Sequence, residues 1–388
     1  MNIQAIIKLG CVISGLCIHA GSSAFDLNID LQSIYYPDTL SLSQKNQPSI
    51  ALNMAHHQDW NDDSERFAAH FFYRQDSYRT HGDIRELFWR KTFENHDLDL
   101  YLGIKKVFWG VTESLHLVDI INQTDQLEDI DNEAKLGQPM LHLSYNKNWG
   151  TTDVFVMPFF RERSFIEQPH PFSLPLPVGE SVFESEHGNR HIDYALRWSH
   201  ALGDLDIGLS YFQGTQREPY LTALSPTSFT PNYHQTKQSS LDLQYIYGDI
   251  LLKLEFINRH NHLHSSEASV TGLEYTFSNL FNNAVDLGLI LEYQYDNELN
   301  SFRTTDNDVV LGTRIAFNGT SNTQILTLLS IDDTNNSKFY SIEASRRFGQ
   351  SWTGSLTSRM FTNTHINDPS YSYKDNDYFE LSIKKFLN

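Results

Sequence analysis

Residues 285–295, Val-Asp-Leu-Gly-Leu-Ile-Leu-Glu-Tyr-Gln-Tyr, carry Val285, Leu287, Leu289, Leu291, Tyr293 and Tyr295 at every second position. Asp286, Gly288, Glu292 and Gln294 fall between them. Successive side chains of a strand point to opposite faces, so this stretch is a strand with one apolar and one polar face. Residues 204–211 repeat the pattern, with Leu205, Ile207, Leu209 and Tyr211 set against Asp204, Asp206, Gly208 and Ser210. Leu98, Leu100, Leu102, Ile104 and Phe108 do the same against Asp97, Asp99, Tyr101, Gly103 and Lys105. Helical periodicity is nearly absent from the rest of the chain.

Outward from these strands, the connections alternate in length. Tight turns are expected at Asn95-His96, Gly203-Asp204, Gly248-Asp249, Asn282-Asn283, Asn318-Gly319 and Gly349-Gln350. Longer links fall near 111–137, 166–189, 220–237, 298–307 and 365–374. Short turns at one end and long loops at the other are the signature of an outer-membrane barrel. The spacing predicts an all-β transmembrane antiparallel β-barrel of about 18 strands, 16 being the alternative, with an inward-folded loop. Aromatic residues near strand ends, among them Trp89, Trp109 and Trp149, suit the two bilayer interfaces.

Residues 1–24 read as an export signal. Lys8 precedes the short apolar stretch Leu9–Ala20, and Ser22 and Ala24 suit a small-x-small cut after Ala24. Residues 25–388 are then one barrel. Cys11 and Cys17 are the only cysteines and both leave with the signal, which excludes a disulfide scaffold and a cysteine zinc site. The 29 Lys+Arg against 48 Asp+Glu give a formal charge of −19, which argues against a nucleic-acid partner. No Gly-x-Ser-x-Gly or His-Glu-x-x-His pattern occurs, so no enzyme, catalytic residue or cofactor is expected. His260, His262 and His264 share one face of an extended segment, a pattern a transition metal could use. They read as solvated loop-edge residues, and no metal site is assigned.

The segment 111–137 is the longest expected link and the candidate functional loop. It carries Glu113, Asp119, Asp125, Glu128, Asp129, Asp131 and Glu133 against Lys135 alone. Leu115, Val118 and Ile121 form an apolar stripe at helical spacing. The reading is a loop with a short helix, folded into the lumen, its stripe docked on the wall and its carboxylates at the pore constriction. Confined carboxylates favour cations. The competing reading is an exposed acidic loop with a locally packed helix. Lys105, Arg161 and Arg163 are the candidate basic pore wall, and the alternative for them is charge neutralisation or contact with lipopolysaccharide phosphates.

The run Gly103-Ile104-Lys105-Lys106-Val107-Phe108-Trp109-Gly110, followed by Val118-Asp119-Ile120-Ile121-Asn122, resembles a family of Gram-negative outer-membrane channel proteins. In that family a glycine-containing strand ends in Trp-Gly and leads to an Asp-x-x-Asn segment. Some members occur beside exporters of the resistance–nodulation–division type. The resemblance covers roughly residues 83–165 and implies a porin-like transport barrel without naming a cargo. Phe379, Leu381, Ile383 and Leu387, with Phe386, resemble the C-terminal strand signal read by the barrel-assembly machinery.

The expected function is an outer-membrane channel for small polar, cationic or zwitterionic solutes. Two other classes stay open: a conduit for hydrophobic cargo coupled to an envelope exporter, and a plugged surface receptor or structural barrel. Expected partners are outer-membrane lipid and lipopolysaccharide, the assembly machinery and small solutes, and an oligomer stays open.

Overall fold

The computed structural model describes residues 22–38, 45–225, 228–280, 284–298 and 306–387. The expected signal segment lies outside these residues except for Ser22, Ser23 and Ala24, and so does the expected turn at Asn282-Asn283. The described strands are β1 (Ser23–Tyr35), β2 (Asn46–Trp60), β3 (Glu65–Gln75), β4 (His81–Phe93), β5 (Leu98–Lys105), β6 (Gln138–Lys147) and β7 (Gly150–Met157). They continue as β8 (Val182–Phe183), β9 (Asp193–Leu202), β10 (Leu205–Thr215), β11 (Tyr220–Ser225), β12 (Ser228–Tyr233), β13 (Gln235–Tyr247) and β14 (Ile250–Asn261). The last are β15 (Ser265–Phe277), β16 (Val285–Asp296), β17 (Asp308–Phe317), β18 (Thr323–Asp332), β19 (Lys338–Phe348), β20 (Trp352–Thr362) and β21 (Tyr378–Phe386).

Eighteen of these strands form one antiparallel sheet in which each pairs with the next in order. β1 also pairs with β21, from Asn28 opposite Phe386 to Tyr35 opposite Phe379, and this closes the barrel. Closure gives each of the 18 strands a neighbour on both sides, as a hydrocarbon surrounding demands. The side chains are arranged inside out. On β16, Leu289, Leu291, Tyr293 and Tyr295 face outward and are 41–48% exposed, whereas Glu292 and Gln294 face the lumen at 1%. Tyr35, Tyr73, Tyr194, Tyr211 and Phe379 ring the outer face towards one end, and Trp149, Tyr247, Phe277, Phe348 and Trp352 ring the other. An apolar band between two aromatic girdles is the lipid-facing surface of a membrane barrel.

Replacing Leu289 by Arg should therefore cost about 2–4 kcal/mol if the side chain sits at mid-membrane depth. Gly288→Ser, on the lumen face of the same strand, should cost far less. Denaturant titration of the barrel folded in lipid vesicles reads both, and equal tolerance would reverse the assigned facing.

Turns and loops segregate as the sequence predicts. β9 and β10 meet at Gly203, whose φ of 65° is the left-handed conformation a tight hairpin turn uses. All long links leave the opposite end. Two features depart from the sequence reading. The connection 158–192 is longer than the candidate loop. In addition, β8, β11 and β12 form a separate three-stranded sheet within the long-loop end. Its parallel β8–β12 pairing joins segments too far apart in sequence to signal each other.

Candidate functional site

β5 stops at Lys105 and β6 begins at Gln138, and the chain between them folds into the lumen. Leu117, Val118, Ile120 and Ile121 pack against the lumenal side chains Met140, Phe155, Met157, Phe212, Ile257 and Val270, with Leu115 at the margin. Val118 and Ile121 are fully buried. Each such side chain contributes about 1.5–3 kcal/mol to docking. The expected inward fold and the docking of Leu115, Val118 and Ile121 are both present.

The short helix expected in 111–137 is not: the segment holds only turns and bridges. Its N–H groups have other partners. Glu255 on β14 accepts from the amides of Val111 at 2.7 Å, Thr112 at 3.1 Å and Val118 at 3.1 Å. Glu292 on β16 accepts from the amides of Glu113 at 2.8 Å and Ser114 at 2.9 Å. Two wall carboxylates thus take the donors that a helix would direct to its own carbonyls, and hydrogen bonds to ionised acceptors are the stronger kind.

The loop's own carboxylates reach out to the wall in return. Glu113 pairs with Arg314 of β17. Asp119 lies 3.2 Å from Lys135 within the loop. Asp125 pairs with Arg85 and lies 3.1 Å from His81, both on β4. Glu128 takes a two-pronged pair from Arg74 of β3 at 2.7 and 2.8 Å. Asp129 accepts from the Tyr378 hydroxyl at 3.0 Å. Arg359 of β20 lies 3.6 Å from Asp129, 3.4 Å from Asp131 and 2.6 Å from Glu343. These contacts fall on β3, β4, β14, β16, β17, β20 and β21, so the loop crosses the lumen and is held on several sides.

A local irregularity aims one of these anchors. The β3–β4 register shifts between His70 and Phe71, leaving Arg85 as the extra residue on β4. A bulge of this kind re-aims a side chain, and Arg85 points inward at Asp125. Gly137 ends the loop against the same strand, where a Cβ would collide with the carbonyl oxygens of Ile84 and Arg85.

Of the three candidate wall cations, two meet the loop. Arg161 lies beyond the end of β7, binds Asp83 at 2.7 Å and donates to the Gly137 carbonyl at 2.8 Å. Arg163 is buried beside Gln123 at 3.4 Å. Lys105 instead sits over the Tyr101 ring, 3.7 Å from its centre, and 3.2 Å from His142 Nδ1. Sequence reasoning did not single out Arg74, Arg314, Arg359, Glu255 and Glu292. Their only local sign is a polar residue on a lumen-facing position.

A gap of about 70 Å³ remains between the loop and the wall formed by β16 to β20, lined by Glu113, Asp131, Glu133, Gln294, Glu343 and Arg359 among others. Burial, with Asp129 next, raises Asp131 well above the ordinary carboxylate range, and burial, with Glu343 next, raises Glu133. Burial alone would raise Asp125 too, but His81 and Arg85 outweigh it and hold Asp125 below that range. The docked loop binds more protons at Asp131 and Glu133 than the released one, so docking strengthens as pH falls and weakens as pH rises through their raised values. Asp125 stays ionised over the same interval. Acidification from neutral should therefore protect the loop from limited proteolysis before ordinary carboxylates titrate. Cleavage within 106–137 that does not change with pH would contradict this.

A second opening lies on the outer face. Residues 81–86 of β4 have no strand partner on the β5 side, where pairing begins at Leu87 opposite Ile104. The wall is completed there by Asp83, Arg161 and the backbone of Gly137. Outside it is an apolar recess of about 760 Å³ lined by Leu52, Met54, Phe71, Ile84 and Ile104.

No family model matches this chain. No curated protein matches it either. Similar solved structures include a triple mutant of Rhodopseudomonas blastica porin, 11% identical, covering 94% of this chain and 100% of that one with a TM-score of 0.46. Another is an engineered protein described for asymmetric conductivity, 10% identical with the same coverages and a TM-score of 0.46. At that level of similarity nothing about solute or mechanism carries over.

Proposed function

We propose that this chain is an outer-membrane channel of porin type that passes small polar solutes, cations and zwitterions before anions, around a docked lumenal loop. The observation that carries the reading is the gap beside the loop, which Glu113, Asp131, Glu133, Glu343 and Arg359 line between the loop and the wall. Charges in such a space are poorly screened, so a small excess of carboxylate biases the ions that enter. Asp125 and Glu128, held by Arg85 and Arg74, serve to fasten the loop. Asp131 and Glu133 set the preference.

Reconstitution in planar bilayers tests this. Asp131→Asn with Glu133→Gln should reduce the cation preference read from reversal potentials under a salt gradient, with conductance close to the parent and an effect that shrinks at high salt. Unchanged preference at normal conductance would remove the loop as the filter. Absence of any conductance would favour a plugged receptor.

One observation favours a second reading, a conduit for hydrophobic cargo. The apolar recess backs onto a wall closed by the Arg161–Asp83 pair where β4 lacks a strand partner. Saturable uptake of an alkyl-chain probe, abolished by filling the recess with Met54→Trp, would support it over the polar channel.

A further inference from the structure

The long-loop end brings Glu184, His234 and His262 together from three separate segments. The parallel pairing of β8 with β12 sets Val182 opposite Asn232 and Phe183 opposite Tyr233, which carries Glu184 alongside His234. The Glu184 amide donates to the Tyr233 carbonyl at 3.0 Å, and the Phe183 and Tyr233 rings stack with centres 5.3 Å apart. Glu184 Oε2 accepts from the Gln235 amide at 2.7 Å, which fixes its carboxylate. On the next hairpin, the Asn261 side chain accepts from the amides of Leu263 and His264 at 2.9 and 3.0 Å, forming the turn that presents His262.

The three side chains converge. His262 Nδ1 lies 3.1 Å and His234 Nδ1 3.6 Å from Glu184 Oε2. One ligand atom from each residue lies within 4.8 Å of the others. A tetrahedral zinc site with bonds of about 2.0–2.1 Å has ligand–ligand edges of roughly 3.3–3.4 Å. The two measured separations bracket that edge. His234 Nδ1 is a buried nitrogen with no hydrogen-bond partner, although it points into the cluster.

We infer that Glu184, His234 and His262 form a binding site for a divalent transition cation of the zinc class, on the long-loop end of the barrel. Two imidazoles and one carboxylate are a donor set for zinc, copper or nickel and a poor one for calcium or magnesium, which take oxygen ligands. The three ligands leave a fourth position to water or a bound solute, and the exposure of His262 and Glu184 keeps that position open to the medium. The site differs from the one the sequence suggested. His264 is already engaged with Glu298, and His260 lies 2.8 Å from Ser265 Oγ, so only His262 of the alternating three contributes.

The test uses the full chain, purified in detergent and stripped with a chelator, then titrated with Zn²⁺ against a fluorescent competitor. One ion per chain is expected, with Ca²⁺ failing to displace it. His234→Ala with His262→Ala should weaken binding by about a hundredfold or more, because each ligand supplies a large share of a zinc site's affinity. His260→Ala should leave it unchanged. Heat-modifiable gel mobility confirms that each variant retains its barrel. Independently, Co²⁺ added to the unmodified chain should give the intense visible bands of a tetrahedral site. Zinc binding equal in parent and double variant, no stoichiometric binding, or a weak octahedral cobalt spectrum would each overturn the assignment.

Discussion

Glu255→Ala should raise single-channel conductance several-fold. Glu255 is fully buried in the lumenal wall and is the acceptor for Val111, both donors of Thr112, and Val118. Hydrogen bonds to a charged group contribute about 1.5–3 kcal/mol each and are not additive, so removing the acceptor should cost about 4 kcal/mol of docking free energy. That moves the docked-to-released equilibrium by about a thousandfold. The leading half of the loop then leaves the apolar patch, and its N–H groups pair with water. Glu255→Gln, which keeps an acceptor but loses the charge, should fall between. Conductance and limited proteolysis within 106–137 read the change together. If neither moves, the loop is held by its apolar contacts alone.

Arg359→Ala should loosen the trailing half and increase cation preference. The Arg359 side chain is 2% exposed and faces Asp129, Asp131 and Glu343. Removing the shared cation leaves three carboxylates without it. Breaking a buried pair from one side costs about 3–5 kcal/mol, and the part-exposed carboxylates here place the expected value near about 3 kcal/mol. Adding Asp129→Asn and Asp131→Asn in the same chain should restore docking, because the two loop carboxylates that lost their cation are then neutral. Failure of this rescue would mean that Arg359 acts through Ser341, to which it donates at 2.7 Å, and the wall itself.

The strands were legible because facing is a local property. In residues 285–295 each side chain's environment follows from its parity, and Leu289 and Glu292 fall on the faces their chemistry dictates. The loop was legible in part. Leu115, Val118 and Ile121 required a dry surface and found one. Their spacing also suggested a helix, yet the same residues dock from an irregular segment of turns whose amides are captured by Glu255 and Glu292. Those acceptors lie more than 130 residues away in sequence, so no window around the loop could register them. Glu292 looked like one more polar lumen residue and is in fact an anchor.

The same distinction separates the metal cluster from its sequence trace. Alternation in 260–264 was visible, but Glu184 and His234 reach His262 only through a parallel pairing and a neighbouring hairpin. By itself, the sequence determined the barrel and its inside-out faces, since these follow from period-2 patterning against lipid and water; for the loop it supplied an apolar stripe and left the inward and exposed positions open. Only the tertiary structure decided which carboxylates fasten the loop, which border the gap and which histidines meet, since each choice is made by partners brought together when the sheet closes.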